Sequence, residues 1–370
     1  MHQDFINSFK KEIFSLPKND EQAFEEKALS LFRFQSKYNP IYKSYIEKLG
    51  VDISQIDSIY KIPFLPIRFF KSHNVQVESV ETKQIFTSSG TTDITQRSKH
   101  AISDLSFYEK SSQFIFEELY VEYGKLSDFQ IFALLPSYLE RDGSSLIYMV
   151  DYFLKNAQPN SNYFLYDYEK LKNEIDKAVL TTPSTPILLL GVTFALLDFA
   201  DFLKENYPSY KLPKTKQFVE HGSRNEIIVM ETGGMKGRKK EMVREEVHSV
   251  LKNAFGVSSI DSEYGMTELL SQGYATKKIN KTNNDEIWFQ TPAYLKILIR
   301  DTNDPFELKQ VNENNFEIQS GAINVIDLAN VESCAFIETQ DLGKINHKGE
   351  FQVLGRFDYS DVRGCNLLVL

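Results

Sequence analysis

Residues suited to chemistry fall in a few short stretches of this chain. In Phe86-Thr87-Ser88-Ser89-Gly90-Thr91-Thr92, five hydroxyl side chains surround one glycine after an apolar run. Hydroxyls and backbone N–H groups that converge on one point suit a phosphate; a solvated polar turn has the same composition. It is not a Walker A loop, since no G-x-x-x-x-G-K-[ST] occurs. In Thr232-Gly233-Gly234-Met235-Lys236-Gly237 the glycines let a backbone approach a flat or charged ligand, although G-G-x-x-G is not the dinucleotide fingerprint G-x-G-x-x-G. The basic run Lys236, Arg238, Lys239, Lys240 and Arg244 reads as a solvated helix start. Glu263-Tyr264-Gly265-Met266-Thr267-Glu268 sets a hydroxyl and a carboxylate beside a glycine. That is either a magnesium-phosphate corner or a helix start with Thr267 as N-cap.

Two further sites lie near the end. Asp341, in Thr339-Gln340-Asp341-Leu342-Gly343, can accept from ribose hydroxyls, and Arg356, in Gly355-Arg356-Phe357-Asp358, can fork onto a phosphate. A lone Asp-Leu-Gly otherwise reads as a hairpin turn. Cys365, in Arg363-Gly364-Cys365, is a candidate nucleophile: Arg363 favours the thiolate and Asp361 opposes it. Cys334, beside an apolar run, reads as a small buried hydrophobe. The histidines show no metal spacing, and neither His221 nor His248 belongs to an H-E-x-x-H. His73 and His100 lie near polar motifs.

These residues need a frame. Residues 1–60 read as helices, with Phe5, Ile6, Phe9, Ile13 and Phe14 near one face and a break at Asn39-Pro40. The prolines of KIPFLPIRFFKS (61–72) exclude a regular helix, so that segment is predicted to run extended. From about residue 85, strands such as FQIFALLP (129–136), TPILLLG (185–191) and EIIVM (226–230) alternate with helices at 104–120 and 239–255. Strand, glycine turn and helix, repeated, is α/β organisation. YLKILI (294–299), NFEIQ (315–319), INVID (323–327) and EFQVLG (350–355) then predict a more β-rich, antiparallel lobe. The expected division is a helical region at 1–84 packed on the core, an α/β core at 85–280 and a β-rich lobe at 281–370.

Composition narrows the function classes. With 42 Lys+Arg against 51 Asp+Glu, the net charge of −9 argues against a phosphate-backbone reader, so no nucleic-acid partner is expected. Two cysteines cannot build a disulfide framework. Asp4, Lys10 and Lys11 interrupt any signal-peptide core, and ILLLGVTFALL (187–197) is too short to span a bilayer. A cytoplasmic protein without a membrane span is the expectation. The 28 Phe and 19 Tyr suit large apolar contacts, in core or pocket.

In order, Ser-Ser-Gly-Thr-Thr, Thr-Gly-Gly, Tyr-Gly-Met-Thr-Glu, Thr-x-Asp-Leu-Gly and Gly-Arg-x-Asp resemble the adenylate-forming superfamily of acyl- and aryl-CoA ligases. Ile62-Pro63-Phe64-Leu65-Pro66-Ile67 with Phe70-Lys71, and Arg356-x-Asp358 followed by Arg363-Gly364-Cys365, are similar to the acyl-protein synthetase (LuxE-type) family. The resemblance covers roughly residues 60–370. It implies an α/β fold of the adenylate-forming large-domain kind, with parallel-sheet α/β lobes and a smaller β-rich lobe. It further implies that the usual mobile C-terminal domain and its lysine are missing, since only 12 residues follow Asp358.

Carried over residue by residue, the resemblance implies that Ser88, Ser89, Gly90, Thr91 and Thr92 hold the β,γ-phosphates of ATP. Gly233 and Gly234 would lie against adenine, with Tyr264 stacked near it. Thr267 would touch the α-phosphate, Glu268 would hold Mg2+, Asp341 would bind the ribose hydroxyls, and Arg356 would approach ribose or phosphate. Cys365 becomes the acyl acceptor. The implied activity is ATP-dependent activation of a carboxylic, fatty acid and transfer to a protein thiol. An acyl reductase or an acyl-carrier or transferase protein would then be its partner. An aryl- or acyl-CoA ligase-like enzyme, a carrier-dependent acyltransferase and a non-catalytic nucleotide-binding subunit are the alternatives.

Overall fold

In the N-terminal region side-chain caps decide where helices start. In the computed structural model, which describes residues 2–88, 97–135, 143–215, 227–233, 242–277, 279–280, 286–310 and 317–356, α1 spans His2–Glu12 and α2 spans Glu21–Tyr38. The Asp20 carboxylate accepts from the Ala23 amide at the start of α2. Asn39 ends α2 and caps α3 (Pro40–Leu49), its Oδ1 accepting from the amides of Ile41 and Tyr42 at 3.1 Å. Pro40 suits this first helical position because its missing N–H has no partner to lose. Gly50, at φ 69°, closes α3 in the left-handed conformation.

The chain then gives β1 (Leu65–Pro66), α4 (Phe69–Ser72), β2 (Gln84–Thr87), β3 (Lys99–Ile102), α5 (Leu105–Leu119), β4 (Gln130–Leu134), α6 (Ser145–Asn156) and β5 (Asn162–Tyr163). There follow α7 (Tyr168–Thr181), β6 (Ile187–Val192), α8 (Thr193–Asn206), β7 (Ile228–Thr232), α9 (Arg244–Phe255), β8 (Asp261–Tyr264) and β9 (Gly273–Ala275). The last strands are β10 (Leu295–Arg300), β11 (Leu308–Lys309), β12 (Gln319–Asp327), β13 (Phe336–Ile345) and β14 (Phe351–Arg356). No described helix is long and apolar enough to cross a membrane.

Contacts divide the chain into two units. One comprises residues 82–92 and 102–292. Its sheet runs β5-β4-β6-β7-β8-β9, parallel from β5 to β8 and closed by antiparallel β9. Every residue of β4, β6 and β7 is buried, as expected of strands covered on both faces by helices. Such sheets present ligand sites at the carboxyl ends of their strands. Here Val192-Thr193, Thr232-Gly233 and Tyr264-Gly265 occupy those ends on three adjacent strands.

The other unit comprises residues 1–81, 93–101 and 293–370. Its sheet runs β1-β13-β12-β10-β11, with β14 also paired to β13. Helix α2 is bound to it by Gln35, whose amide donates to the Asn330 and Val331 carbonyls and accepts from the Ala335 amide at 2.9 Å. Phe32, Tyr42 and Phe64 all meet the Phe336 ring.

The proline segment is extended only through β1, whose partner is β13; beyond Pro66 the chain turns into α4. Neither proline obstructs α4, because both precede it. Gln319 and residues 323–327 belong to one strand rather than two: β12 begins at Gln319 and runs through to Asp327, while 315–316 lie outside the described residues. The Asp-Leu-Gly hairpin reading is also overturned, since these residues lie within β13. Gly343 serves the ladder there, because a Cβ would stand 2.4 Å from the Gln352 carbonyl oxygen and 2.5 Å from Ile323 Cδ1.

Candidate active site

Within the α/β unit, a polar network joins the ends of three parallel strands. The register pairs Glu231 of β7 with Ser262 of β8, and Thr232 with Glu263. Side chains alternate along a strand, so these pairs occupy opposite faces. Glu231, 2% exposed, accepts from Ser262 Oγ (2.6 Å), Thr193 Oγ1 (2.7 Å) and Arg244 Nε (3.0 Å). His248 Nε2 lies 2.9 Å from Ser262 Oγ and 3.7 Å from Glu231. Burial alone would raise the Glu231 carboxyl. Hydrogen bonding from His248, the Arg244 charge and the Ser262 hydroxyl outweigh it and bring the group down to about 2. Glu231 is therefore an ionised hub joining β7, β8, α8 and α9.

Glu263 contrasts with it. The Thr232 hydroxyl donates to its Oε2. Burial and the neighbouring Glu231 charge raise its carboxyl to about 7, against the lowering influence of Thr232 and Arg244. Two carboxyl groups this close do not both ionise easily in a buried setting.

Of the predicted site residues of this unit, Gly233 and Tyr264 stand at the carboxyl ends of β7 and β8. Ser88 directly follows β2 and is half-buried; the preceding Thr87 amide donates to the Gly143 carbonyl at 2.7 Å. Gly233 has φ 73°, and among the described residues a Cβ there would meet only Val192 Cγ1, at 3.9 Å. Backbone conformation rather than crowding requires glycine at this exposed turn. Tyr264 ends β8 buried, its ring edge-on to Phe289 at 6.1 Å.

Thr267 and Glu268 stand in a turn closed by the Leu269 amide on the Met266 carbonyl, not at a helix start. The chain there must reverse into antiparallel β9, which leaves no room for a helix. Thr267 is half-buried and Glu268 is 5% exposed. Among the described residues no three His, Cys, Asp or Glu side chains gather around a metal position. A single carboxylate such as Glu268 fits magnesium that arrives with ATP phosphates, which keeps few protein ligands.

In the other unit, Asp341 and Arg356 face each other across the β13–β14 ladder. Arg356 Nε lies 3.3 Å from Asp341 Oδ1, and the Asp341 amide donates to Thr339 Oγ1 at 3.1 Å. Ser89, Gly90, Thr91, Thr92, Gly234 and Cys365 lie outside the described residues. Cys334 is fully buried, and burial pushes its thiol up to about 12, as suits an inert core residue.

The sequence motifs did not single out Glu231 or Ser262, gave no separate role to Glu263 or His248, and took Arg244 as solvated. That residue does open α9 but is not left to solvent: its guanidinium binds Glu231 and its carbon Cζ sits 4.9 Å from the Phe289 ring centre. The available signal was polar residues at strand positions facing a core, in ET at 231–232 and DSE at 261–263. His73 is exposed and stacked on Phe69, while His100 is buried beside Phe70.

The chain matches the sequence model of a family described as Acyl-protein synthetase, LuxE, over residues 4–370. Among solved structures, it is similar to 2-hydroxyisobutyryl-CoA ligase in an open conformation with 2-HIB-AMP and CoA. That match has 14% identity and a TM-score of 0.60, covering 91% of this chain and 74% of that one. The same ligase in its postadenylation state with 2-HIB-AMP matches at 12% identity and a TM-score of 0.60, over 92% of this chain and 69% of that one. At such identities the likeness establishes the fold, the large-domain architecture of adenylate-forming ligases. No curated protein sequence matches the chain.

Proposed function

The chain belongs to the LuxE acyl-protein synthetase family, and on that premise we propose that it activates a fatty carboxylic acid and passes the acyl group to the thiol of Cys365. It is an AMP-forming ligase, so ATP is the activating substrate. The observation that carries the reading is the family match over residues 4–370, which takes in both the Tyr264–Glu268 stretch and the Arg363-Gly364-Cys365 end. The fatty nature of the acid rests on the aromatic content of 13%, which suits an apolar pocket.

The reaction has two halves. A carboxylate oxygen attacks the α-phosphorus of ATP in line; the bond to the bridging oxygen of pyrophosphate breaks, and pyrophosphate leaves with its electron pair. Ser88, Ser89, Gly90, Thr91 and Thr92 hold the β,γ-phosphates, and Thr267 donates to the α-phosphate as charge spreads. Glu268 would hold the Mg2+ that accompanies ATP, and the ion would supply positive charge to offset that of the pyrophosphate. Gly233, Gly234 and Tyr264 border adenine, Asp341 accepts from the ribose hydroxyls, and Arg356 reaches ribose or phosphate.

In the second half, the Cys365 thiol gives up its proton and its sulfur attacks the acyl carbon. The acyl–phosphate bond breaks and AMP leaves, so the product is a thioester. The thioester then supplies an acyl reductase or another acyl acceptor, in a cytoplasmic setting.

The test is acid-dependent ATP–pyrophosphate exchange across fatty and aromatic acids, with and without a candidate reductase. Exchange driven by apolar acids is expected. No exchange with any acid contradicts the reading.

A further inference from the structure

The adenylation reading leaves unexplained why β8, inside a sheet of apolar strands, is built as Asp-Ser-Glu-Tyr with all four residues buried. Two of the three polar residues have clear structural partners. Asp261 accepts from the Tyr120 hydroxyl at 2.8 Å and the Lys277 amide at 3.1 Å, and Ser262 donates to Glu231. Glu263 is different. One carboxyl oxygen accepts from Thr232, the residue preceding the Gly233 turn. The other turns toward the chain two residues on: a Cβ built at Gly265 would stand 2.5 Å from Glu263 Oε1 and 3.6 Å from its Cδ.

Gly265 is exposed and its φ is not in the left-handed region, so neither burial nor backbone conformation demands glycine there. The Glu263 carboxyl, the far end of a flexible side chain, occupies the space that a side chain at Gly265 would enter. This side chain spans from the end of β7 to the bend after β8, and that bend leads into the Met266–Leu269 turn holding Thr267 and Glu268.

We propose that Glu263 is a positioning residue for adenylation: its carboxyl, held by Thr232 and folded against Gly265, fixes the bend that presents Thr267 and Glu268 to ATP. This rests on the functional reading above. It goes beyond that reading by assigning a role to Glu263, which the adenylation motifs leave without one. Removing the carboxyl frees the bend without opening the core, because the Glu231 network on the opposite face is a separate set of bonds.

The experiment compares full-length Glu263→Ala, Glu263→Gln and Gly265→Ala with wild type. Two readouts are used: ATP–pyrophosphate exchange kinetics, and hydrogen exchange at the Leu269 amide that closes the turn. For Glu263→Ala the expected result is a kcat at least tenfold lower with the acid KM within threefold, and Leu269 exchange at least tenfold faster. Glu263→Gln, which keeps the shape and an acceptor for Thr232, recovers both to within threefold. Gly265→Ala, whose Cβ takes the place of Oε1 and displaces the flexible carboxyl from the bend, reproduces the alanine phenotype and decides the matter should Glu263→Ala fail to fold. Wild-type kcat and amide protection in Glu263→Ala overturn the proposal, as does a Glu263→Gln protein as impaired as alanine. If wild type itself shows no exchange with any acid, the functional reading fails, and the Leu269 amide still decides whether Glu263 fixes the turn.

Discussion

Asp341 and Arg356 are cross-strand neighbours, and the guanidinium of one lies 3.3 Å from the carboxylate of the other. Their exposures differ sharply: the Asp341 side chain is 8% exposed and that of Arg356 is 77%. A pair with one partner in solvent contributes little to stability.

If Asp341 binds ribose, Asp341→Ala weakens ATP binding at least tenfold in calorimetry, about 1.4 kcal/mol. Arg356→Ala leaves the melting temperature nearly unchanged, since an exposed pair is worth at most about 1 kcal/mol. ATP affinity equal to wild type in Asp341→Ala would remove the ribose assignment.

The Glu231–Arg244 pair behaves differently, because Glu231 is buried. Arg244→Met leaves that carboxylate without its full charge partner and is expected to destabilise by about 3 kcal/mol. Adding Glu231→Gln to Arg244→Met recovers part of the loss. The measurement is a double-mutant cycle by denaturant unfolding; strictly additive effects contradict the coupling.

Gly343 tests the β-rich sheet. Gly343→Ala drives a Cβ into the Gln352 carbonyl oxygen, backbone that cannot rotate away. A loss of about 1–3 kcal/mol is expected from such overpacking, with Gly355→Ala as the comparison, since a Cβ there meets nothing within 4 Å. Equal melting temperatures for the two variants contradict the register of β13 and β14.

The two buried glutamates give stability a pH dependence of opposite signs. The Glu231 carboxyl falls from 4.5 unfolded to about 2 folded. Its contribution is therefore present above about pH 4.5 and lost as pH falls toward 2. The Glu263 carboxyl rises from 4.5 to about 7. The folded state then holds a proton that the unfolded state has released, so its contribution declines as pH rises from about 4.5 to 7, by on the order of 3 kcal/mol. Charged or titratable groups acting on it are Glu231 of β7, Arg244 of α9 and Tyr108 of α5. Denaturant midpoints between pH 4.5 and 7 should fall in wild type and lose that fall in Glu263→Gln. An identical slope in both proteins assigns the decline to another group.

What the sequence disclosed follows from where each signal is stored. The strands β4, β6 and β7 were legible because unbroken apolar runs suit a covered parallel sheet. Asn39-Pro40 marked a helix boundary because cap and proline chemistry is local. Strand β8 was hidden because its polar side chains are satisfied by Tyr120, Thr232 and Glu231, partners far away in sequence. Gly343 looked like a turn because the carbonyl that crowds it belongs to another strand. Arg244 looked solvated for the same reason: a basic run shows charge but not the buried carboxylate 13 residues earlier. Of the two alternatives for Thr267 and Glu268, the helix start fails, because the chain turns there toward antiparallel β9, a tertiary requirement that local sequence does not show.

The central claim is acyl capture by Cys365, and labelled acid tests it most directly. Purified wild type and Cys365→Ser are each incubated with ATP, Mg2+ and a radiolabelled apolar acid that supports exchange. The account predicts that Cys365→Ser retains acid-dependent ATP–pyrophosphate exchange and loses all protein-bound label. Label that persists on Cys365→Ser would contradict it.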